Sequence, residues 1–171
     1  MRFKDYLYND LTFKVSSPNN FTLSELNSIK ELIISEGQVS SSGLLNRIKR
    51  AKLLCVAIDN DKIIAISAIK IPDRAYHVSC FEKADVPELY KYYPYEMGWK
   101  VVLPLYRGKN LGSKLSNMLF KNIDKDKIFA TVRSNNKASI IPLERMGFKP
   151  TGKPYYGSTG NEIILFTTGK K

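Results

Sequence analysis

The chain has 171 residues, a net charge of +11 and 43% hydrophobic residues. This length is enough for the core of one domain, which we expect to span residues 1–171. The apolar runs are far shorter than the roughly 20 residues that cross a bilayer, so the composition excludes a membrane-spanning protein. The N-terminus lacks the apolar stretch of a secretory signal, which predicts a cytoplasmic protein whose Cys55 and Cys80 are both reduced.

The first half of the sequence predicts two helices and a hairpin. Over residues 22–37, apolar side chains recur every three or four positions and Gly37 ends the pattern, as in an amphipathic helix. A second, shorter helix is predicted over residues 42–51. Two β-branched runs separated by Asp-Asn-Asp-Lys predict a β-hairpin over residues 52–71. Residues 72–94 hold prolines and no clear period, so we expect a long connection with one short helix.

The second half of the sequence has a clearer pattern. A strand is predicted over residues 95–103, followed by an amphipathic helix over residues 111–123. Next come a strand over residues 127–133 and a helix that one of two successive asparagines caps and Gly147 ends. The tail predicts two strands around a Gly-Ser-Thr-Gly turn. This order predicts an α/β (α+β) fold with a mixed central sheet flanked by helices.

The stretch from Val101 to Phe120 combines an apolar run, a proline, a basic turn bounded by glycines and an amphipathic helix. That order places backbone amides at the start of a helix, where anions bind. The spacing fits neither the dinucleotide fingerprint nor the nucleotide-triphosphate loop. The net positive charge also favours an anionic partner, although a lysine-rich composition that only aids solubility gives the same charge.

This turn resembles the pyrophosphate loop of the GNAT superfamily, the Gcn5-related N-acetyltransferases. Its pieces are Val102-Leu103-Pro104 and then Arg107-Gly108-Lys109-Asn110-Leu111-Gly112, where Asn110 stands in a position that is usually glycine in the family. Further along, TVRSNNKASIIPLERMGFKPTG resembles the family's C-terminal pattern, Arg-x-x-Asn-x-x-(Ala/Ser) and then Leu-Glu-Lys/Arg-x-Gly-Phe. Both patterns occur in the expected order over residues 96–152, and the resemblance implies the GNAT fold.

The resemblance implies acetyl-CoA as a cosubstrate and no metal. Its pyrophosphate would bind the loop amides, and its pantetheine arm would lie along the preceding strand. Asn110 would need a positive φ, which asparagine adopts more readily than other non-glycine residues. Asn136 would reach the pantetheine or nearby backbone, or would only cap its helix. The implied cofactor-binding residues are Val101, Val102, Leu103, Arg107, Gly108, Lys109, Asn110, Leu111, Gly112, Ser113 and Asn136.

Transfer of an acetyl group to an amine requires a base, because a lysine-type amine is neutral in only about one molecule in 2,500 at pH 7. The resemblance implies that Glu96, before the loop, is this base; a surface glutamate paired with a lysine is the alternative. Many family members protonate the leaving thiolate with a tyrosine at the position that is Leu143 here. Tyr155 is our candidate for this acid, with Tyr106, Tyr156 or a water molecule as alternatives.

The sequence leaves the acceptor amine open, since small molecules, proteins and peptides all suit the chemistry. A different class of function is a non-catalytic basic module of the same fold that binds nucleic acid, for which the tyrosines and lysines of residues 88–99 would stack bases. His77 and Cys80 supply only two potential zinc ligands, so no metal site is expected. We expect no membrane partner, and the resemblance suggests a homodimer.

Overall fold

The computed structural model describes residues 11–37, 39–123 and 127–169. The α-helices in these ranges are α1 (Leu23–Ile34), α2 (Leu44–Lys49), α3 (Arg74–Lys83), α4 (Leu111–Lys121) and α5 (Lys137–Arg145). The β-strands are β1 (Thr12–Ser16), β2 (Leu53–Asp59), β3 (Lys62–Lys70), β4 (Tyr95–Val102), β5 (Ile128–Arg133), β6 (Lys149–Pro150), β7 (Tyr155–Tyr156) and β8 (Glu162–Thr167).

These elements belong to two compact units. The first comprises the described residues up to Ile69 together with Trp99–Leu119, and the second comprises Lys70–Gly98 together with the described residues from Phe120 onward. Strand β4 therefore contributes its first half to the second unit and its second half to the first. The change falls at Trp99, whose φ of +49° is left-handed and uncommon for a bulky residue.

The first unit contains an antiparallel sheet with helices packed on it. Strand β2 lies between β1 and β3, with Val15 opposite Cys55 in the first of these pairings. Helix α1 begins at a capping box, in which Thr22 Oγ1 accepts a hydrogen bond from the Glu25 amide (3.1 Å) and the Glu25 carboxylate accepts one from the Thr22 amide (2.6 Å). The core of this unit includes Leu26, Ile29, Ile33, Leu44, Ile48, Leu54, Val56 and Ile66.

The second unit is organised around β5. This strand runs parallel to β4, through Tyr95 opposite Ile128 and Glu96 opposite Phe129, and antiparallel to β8. The short strands β6 and β7 also pair with β8. The parallel register ends at Glu96, two residues before the end of this unit's part of β4. Helix α3 packs on this sheet, and the core of the second unit includes Cys80, Phe81, Ala84, Phe129 and Leu165.

Most of the predicted elements are confirmed. The sheet is mixed, because β4 and β5 are parallel while β2 and β8 each make antiparallel pairs. Helices α1, α2, α4 and α5 lie where the patterns predicted them, as do the β2–β3 hairpin and strands β4, β5, β7 and β8. Asn136 is the cap of α5, and Gly147, with a φ of +90°, follows its end. The single domain over residues 1–171 stays a prediction.

The region before β4 differs from the prediction. Helix α3 has ten residues and precedes a 3₁₀ helix at Pro87–Tyr92, where we expected a long connection with one short helix. Its apolar periodicity is weak because only Cys80 and Phe81 are buried. Cys80 therefore lies in a helix and not in an irregular segment. Strands β1, of five residues, and β6, of two, were not predicted. No helix in the described ranges is long and apolar enough to cross a membrane.

Candidate active site

The glycine loop of the first unit, defined here as residues 104–113, leads from β4 into α4. Pro104–Tyr106 form a single 3₁₀ turn. Gly108 and Asn110 then adopt left-handed conformations, with φ values of +76° and +56°, and α4 begins at Leu111. The positive φ that the sequence predicted for Asn110 is confirmed. Glycine would adopt this conformation without steric cost, whereas asparagine adopts it more readily than most other residues.

Backbone amides are the groups that this loop offers to a ligand. The amides of Tyr106 and Arg107 close the 3₁₀ turn, and the Lys114 amide donates to the Asn110 oxygen (3.0 Å) at the start of α4. Within the described part of the chain, no backbone hydrogen bond engages the amides of residues 108–113. Helix geometry also supplies no carbonyl partner to the amides of a first turn. Such a run of unpaired N–H groups at a helix start suits an anion.

Two side chains hold the loop in place. Arg107 Nε donates a hydrogen bond to the Val102 backbone oxygen (2.9 Å), and Arg107 Nη2 donates one to the Glu36 carboxylate. The Tyr106 hydroxyl donates to the Asp59 carboxylate, and this hydrogen bond raises the pKa of Tyr106. Arg107 was predicted to contact the cofactor, and its guanidinium here contacts the protein. Tyr106 is a poor alternative acid because its proton is already shared with Asp59.

Gly112 allows α4 to approach β4 closely. A Cβ atom at this position would lie 3.2 Å from Lys100 Cγ and 3.5 Å from Val102 Cγ2, closer to Lys100 than carbon atoms normally pack. A larger side chain would therefore push the first turn of α4 away from the strand. Leu111 is buried beside it, and Ser113 is half-buried. Burial also lowers the pKa of Lys100.

The end of β4 offers mainly its backbone to a ligand. The Val101 side chain is buried in the core of the first unit. The Leu103 amide donates to the Ile64 oxygen (2.9 Å), so it is not available to pair with a pantetheine arm. The Val102 oxygen accepts from Arg107 and keeps one lone pair. A pantetheine arm along this strand would therefore rely on Val101 and Val102 more than on Leu103.

Lys109 and Asn136 are the other predicted cofactor contacts. Lys109 is half-buried in the glycine loop, with its Nζ 5.9 Å from the centre of the Tyr106 ring. Asn136 belongs to the second unit, where its Oδ1 accepts a hydrogen bond from the Ser139 amide (3.2 Å). The cap that the sequence allowed for Asn136 is therefore present, and any ligand contact would fall to its amide nitrogen.

Glu96 is buried in the second unit, with only 3% of its surface exposed. Its Oε2 lies 2.7 Å from Lys70 Nζ, and its Oε1 accepts hydrogen bonds from the Tyr76 hydroxyl (3.0 Å) and Thr131 Oγ1 (3.3 Å). The alternative that Glu96 is a surface glutamate is wrong, because the residue is buried. The lysine partner that this alternative expected is present. A buried carboxylate needs such compensation for its lost hydration, and the contacts hold it in one orientation.

Tyr155 and Tyr76 both lie near this carboxylate. Burial raises the pKa of Tyr155, and the neighbouring Cys80 and Glu96 act in the same direction. Loss of hydration around its hydroxyl raises the pKa of Tyr76, although 44% of the residue's surface is exposed, and Glu96 contributes in the same direction. Both phenols therefore keep their protons at neutral pH, as a general acid must. Tyr76 donates to the Glu96 carboxylate, whereas the hydrogen-bond partner of Tyr155 is the Cys80 thiol, a much weaker acceptor, so Tyr155 is the better proton donor of the two.

The remaining candidates for the acid are poorly suited. Tyr156 is 72% exposed, so nothing positions its hydroxyl. Leu143, at the position of the tyrosine that many relatives of the resembled family use, is a buried side chain of α5 without a proton to give. Burial raises the pKa of Cys80 as well, which keeps this thiol protonated.

The aromatic segment before β4 is largely used for packing. Tyr93 stacks on Phe81 at a centroid distance of 6.0 Å, and Tyr90 meets His77 edge-on at 5.6 Å, while Tyr92 is 66% exposed. Little of this segment is left to stack nucleic-acid bases. Across the described ranges, no group of three or more His, Cys, Asp and Glu residues could hold a metal ion.

The partners of Glu96 and Arg107 were not predicted from the sequence. They are Lys70, Tyr76 and Thr131 around Glu96, and Glu36 beside Arg107. For Lys70 the available signal was a lysine at the end of an otherwise apolar strand. The other partners carry no local signal because they come from distant parts of the chain.

The family comparison matches residues 26–148 to the model of the acetyltransferase (GNAT) family. No curated protein matches the chain in sequence. An acyl-CoA N-acyltransferase from Pseudomonas aeruginosa is 14% identical with a TM-score of 0.68, and 93% of this chain and 99% of that chain are covered. The NatC complex bound to Gag peptide and CoA contains a chain that is 18% identical (TM-score 0.64, 95% and 99% covered). Arabidopsis thaliana NAA60 with a bisubstrate analogue is 15% identical (TM-score 0.61, 91% and 96% covered).

Proposed function

The chain belongs to the GNAT acetyltransferase family, and we propose that it moves an acetyl group from acetyl-CoA to a primary amine by direct attack in a ternary complex. The observation that carries this proposal is the run of unpaired amides at residues 108–113, with left-handed Gly108 and Asn110. The NatC and NAA60 structures, which contain a CoA and a bisubstrate analogue, support a cosubstrate of this type.

The glycine loop fits the diphosphate of coenzyme A. The loop amides would donate hydrogen bonds to the phosphate oxygens, and the positive end of the α4 dipole would favour their charge. Lys109 adds a cation in the same loop. When bound, the cosubstrate supplies an acetyl thioester. Gly112 lets the start of α4 lie close to the end of β4, the strand that would contact the pantetheine arm.

Glu96 would act as the base for the acceptor amine. An amine with a pKa near 10.4 must lose a proton at a cost of roughly 4.6 kcal/mol at pH 7, so a fixed carboxylate is useful. The hydroxyls of Tyr76 and Thr131 hold Oε1 in place. Tyr155 would give its proton to the leaving sulfur, because its raised pKa keeps it protonated. Strand β4 contains a proposed catalytic residue and a proposed cofactor contact, since Glu96 lies in its first half and Val101 in its second.

The acceptor is proposed only as a primary amine, in a small molecule, a protein or a peptide. The alternative, a non-catalytic module that binds nucleic acid, receives less support, because two tyrosines of the aromatic segment are used in packing. A cytoplasmic location and a homodimer stay predictions from the sequence.

The decisive experiment is thermal unfolding with added CoA. A ligand that binds only the native state adds about 2.7 kcal/mol at 100 times its Kd, which corresponds to roughly 5–10 °C for a chain of this size. ADP at the same concentration is the matched control, since it shares a diphosphate but lacks the pantetheine arm. No shift with millimolar CoA, or an equal shift with ADP, would overturn the proposal.

The catalytic assignment needs turnover. We expect labelled acetyl-CoA to transfer its acetyl group to members of a panel of amines and free peptides. Glu96→Gln should lower kcat by roughly 100-fold or more, because general-base catalysis contributes on that scale. Glu82→Gln is the control, since this glutamate is exposed on α3 of the same unit. Equal rates for the two variants would remove Glu96 from the mechanism.

A further inference from the structure

Lys70 and Glu96 form a buried ion pair in the second unit. Lys70 is the last residue of β3, and its Nζ lies 2.7 Å from Glu96 Oε2. The two side chains are only 18% and 4% exposed. This pair is more enclosed than the ion pairs Lys14–Glu25, Lys30–Glu31, Arg107–Glu36 and Lys153–Asp85, in each of which both side chains are at least 28% exposed. Removing one partner of an enclosed ion pair costs far more stability than removing one partner of a surface pair, because a buried charge is left uncompensated.

Gly98 is what allows the lysine to reach the carboxylate. A Cβ atom on Gly98 would lie 2.7 Å from Lys70 Cε, too short for a real contact, and 3.1 Å from Lys70 Nζ, tighter than most such contacts. The Lys70 side chain therefore lies across the bare backbone of β4, two residues after Glu96. The φ of Gly98 is not in the left-handed region, so its backbone does not require glycine. Space for Lys70 is the reason that glycine is needed here.

The Glu96 carboxylate has a second set of contacts on its other oxygen. Tyr76 and Thr131 donate to Oε1, and they also lie 3.1 Å from each other. Several titratable groups of the second unit interact electrostatically with the same carboxylate. They are Lys70 from β3, Tyr76, His77 and Cys80 from α3, and Tyr155 from β7.

We propose that Lys70 is a positioning residue of the transfer reaction, which pairs with the Glu96 carboxylate and holds it in place, and that Gly98 leaves the space that the lysine needs to reach it. This inference rests on the proposed function, because it assumes that Glu96 receives the proton of the acceptor amine. Lys70 does not have to touch the substrate. Its ammonium group balances the buried charge, while Tyr76 and Thr131 fix the rotation of the carboxylate.

Gly98→Ala is the most selective test of the proposal. The added methyl group collides with the flexible end of Lys70, so the lysine moves away while Lys70 and Glu96 both remain in the protein. Alanine is also favoured over glycine in a strand, which protects the fold. We expect kcat with an amine acceptor to fall by about tenfold or more, because the base loses its fixed position. The Kd for CoA should stay within about twofold of wild type, since the glycine loop is untouched.

Lys70→Met, Lys70→Arg and the double variant complete the test. Lys70→Met removes the charge and should lower kcat further, because the buried carboxylate then has no cationic partner. Lys70→Arg keeps the charge and should recover part of the loss, although its fork has a different shape. In a Lys70→Met background, Gly98→Ala should have no additional effect, because its action passes through Lys70. Lys62→Met, at the exposed start of β3, is the control.

The measured reaction is CoA release from acetyl-CoA with a mixture of small primary amines and peptides with free N-termini. Thermal unfolding of each variant shows whether it folds. If Lys70→Met does not fold, Gly98→Ala still tests the proposal. Wild-type protein without turnover would overturn the proposed function and this inference with it. Turnover that Gly98→Ala leaves unchanged, or a Gly98→Ala effect that persists in the Lys70→Met background, would overturn the inference alone.

Discussion

Arg107, in the glycine loop, donates a hydrogen bond to the carboxylate of Glu36, a residue just beyond the end of α1. The pair joins two segments that are 71 positions apart in the sequence. Arg107 also donates to the Val102 oxygen at the end of β4, so one guanidinium connects the loop, the strand and the residue after α1. The arginine of the family pattern therefore contributes to the shape of the loop as well as to its charge.

The Arg107–Glu36 contact leads to the first prediction. Arg107→Ala should weaken CoA binding by about tenfold, because the loop loses both a brace and a positive charge. Glu36→Gln should weaken it by about twofold to fivefold, since an exposed ion pair contributes roughly 1 kcal/mol or less. Isothermal titration calorimetry measures both, with Glu31→Gln on α1 as the control. An unchanged affinity in Arg107→Ala would show that this arginine is not needed for the loop.

Asn110 gives a prediction about stability. Its φ of +56° costs a side chain with a Cβ about 1 kcal/mol or more, and asparagine less than most. Asn110→Ala should therefore lower the Tm by roughly 2–4 °C per kcal/mol lost, whereas Asn110→Gly should leave it unchanged or raise it. Thermal unfolding by circular dichroism distinguishes them. If alanine proves more stable than glycine at this position, the left-handed conformation is not present in solution.

Gly108 and Gly160 form a matched pair for separating binding from folding. Both are left-handed, with φ values of +76° and +74°, and a Cβ on either would meet nothing within 4 Å. Alanine at either position should thus destabilise the protein similarly, by about 1 kcal/mol. Only Gly108→Ala should also weaken CoA binding, because only Gly108 shapes the proposed phosphate site. Equal CoA affinities in the two variants would contradict the assignment of the loop.

His77 predicts a fall in stability at mildly acidic pH. Its ring stacks on Phe129 at 5.1 Å, and burial lowers its pKa below the usual value near 6.5. A backbone hydrogen bond with Tyr93 and the charge of Glu96 oppose this shift without cancelling it. The folded protein therefore favours the neutral ring, while the unfolded chain takes up a proton as the pH falls through 6.5. This contribution is complete above pH 6.5 and is lost as the pH falls toward the folded pKa.

Urea unfolding at pH 7.5 and pH 5 measures this effect. The free energy of unfolding should be lower at pH 5, and the difference should shrink in His77→Phe, which keeps an aromatic ring but cannot titrate. Other groups also contribute to the pH dependence of stability, so the comparison of the two proteins is the informative quantity. A pH dependence that is identical in both would show that His77 does not contribute.

Local sequence was sufficient for the elements whose signals lie within a few residues of each other. The Asn136 cap, the Gly147 helix end and the left-handed Asn110 were all predictable, because capping and turn conformation depend on neighbouring residues. Helix α3 was underestimated because its buried residues show no clear period. The short β1 is defined by its pairing with β2, which no local signal reports.

The glycine loop, its helix and its family were determined by the sequence itself, since spacing and residue type decide where unpaired amides can occur. The burial of Glu96 and its partners Lys70, Tyr76 and Thr131 was decided only by the tertiary structure. These residues lie on three different strands and a helix, and none of them predicts the others. A carboxylate becomes buried and paired only when folding brings distant segments together, because its partners are neighbours only in the packed interior.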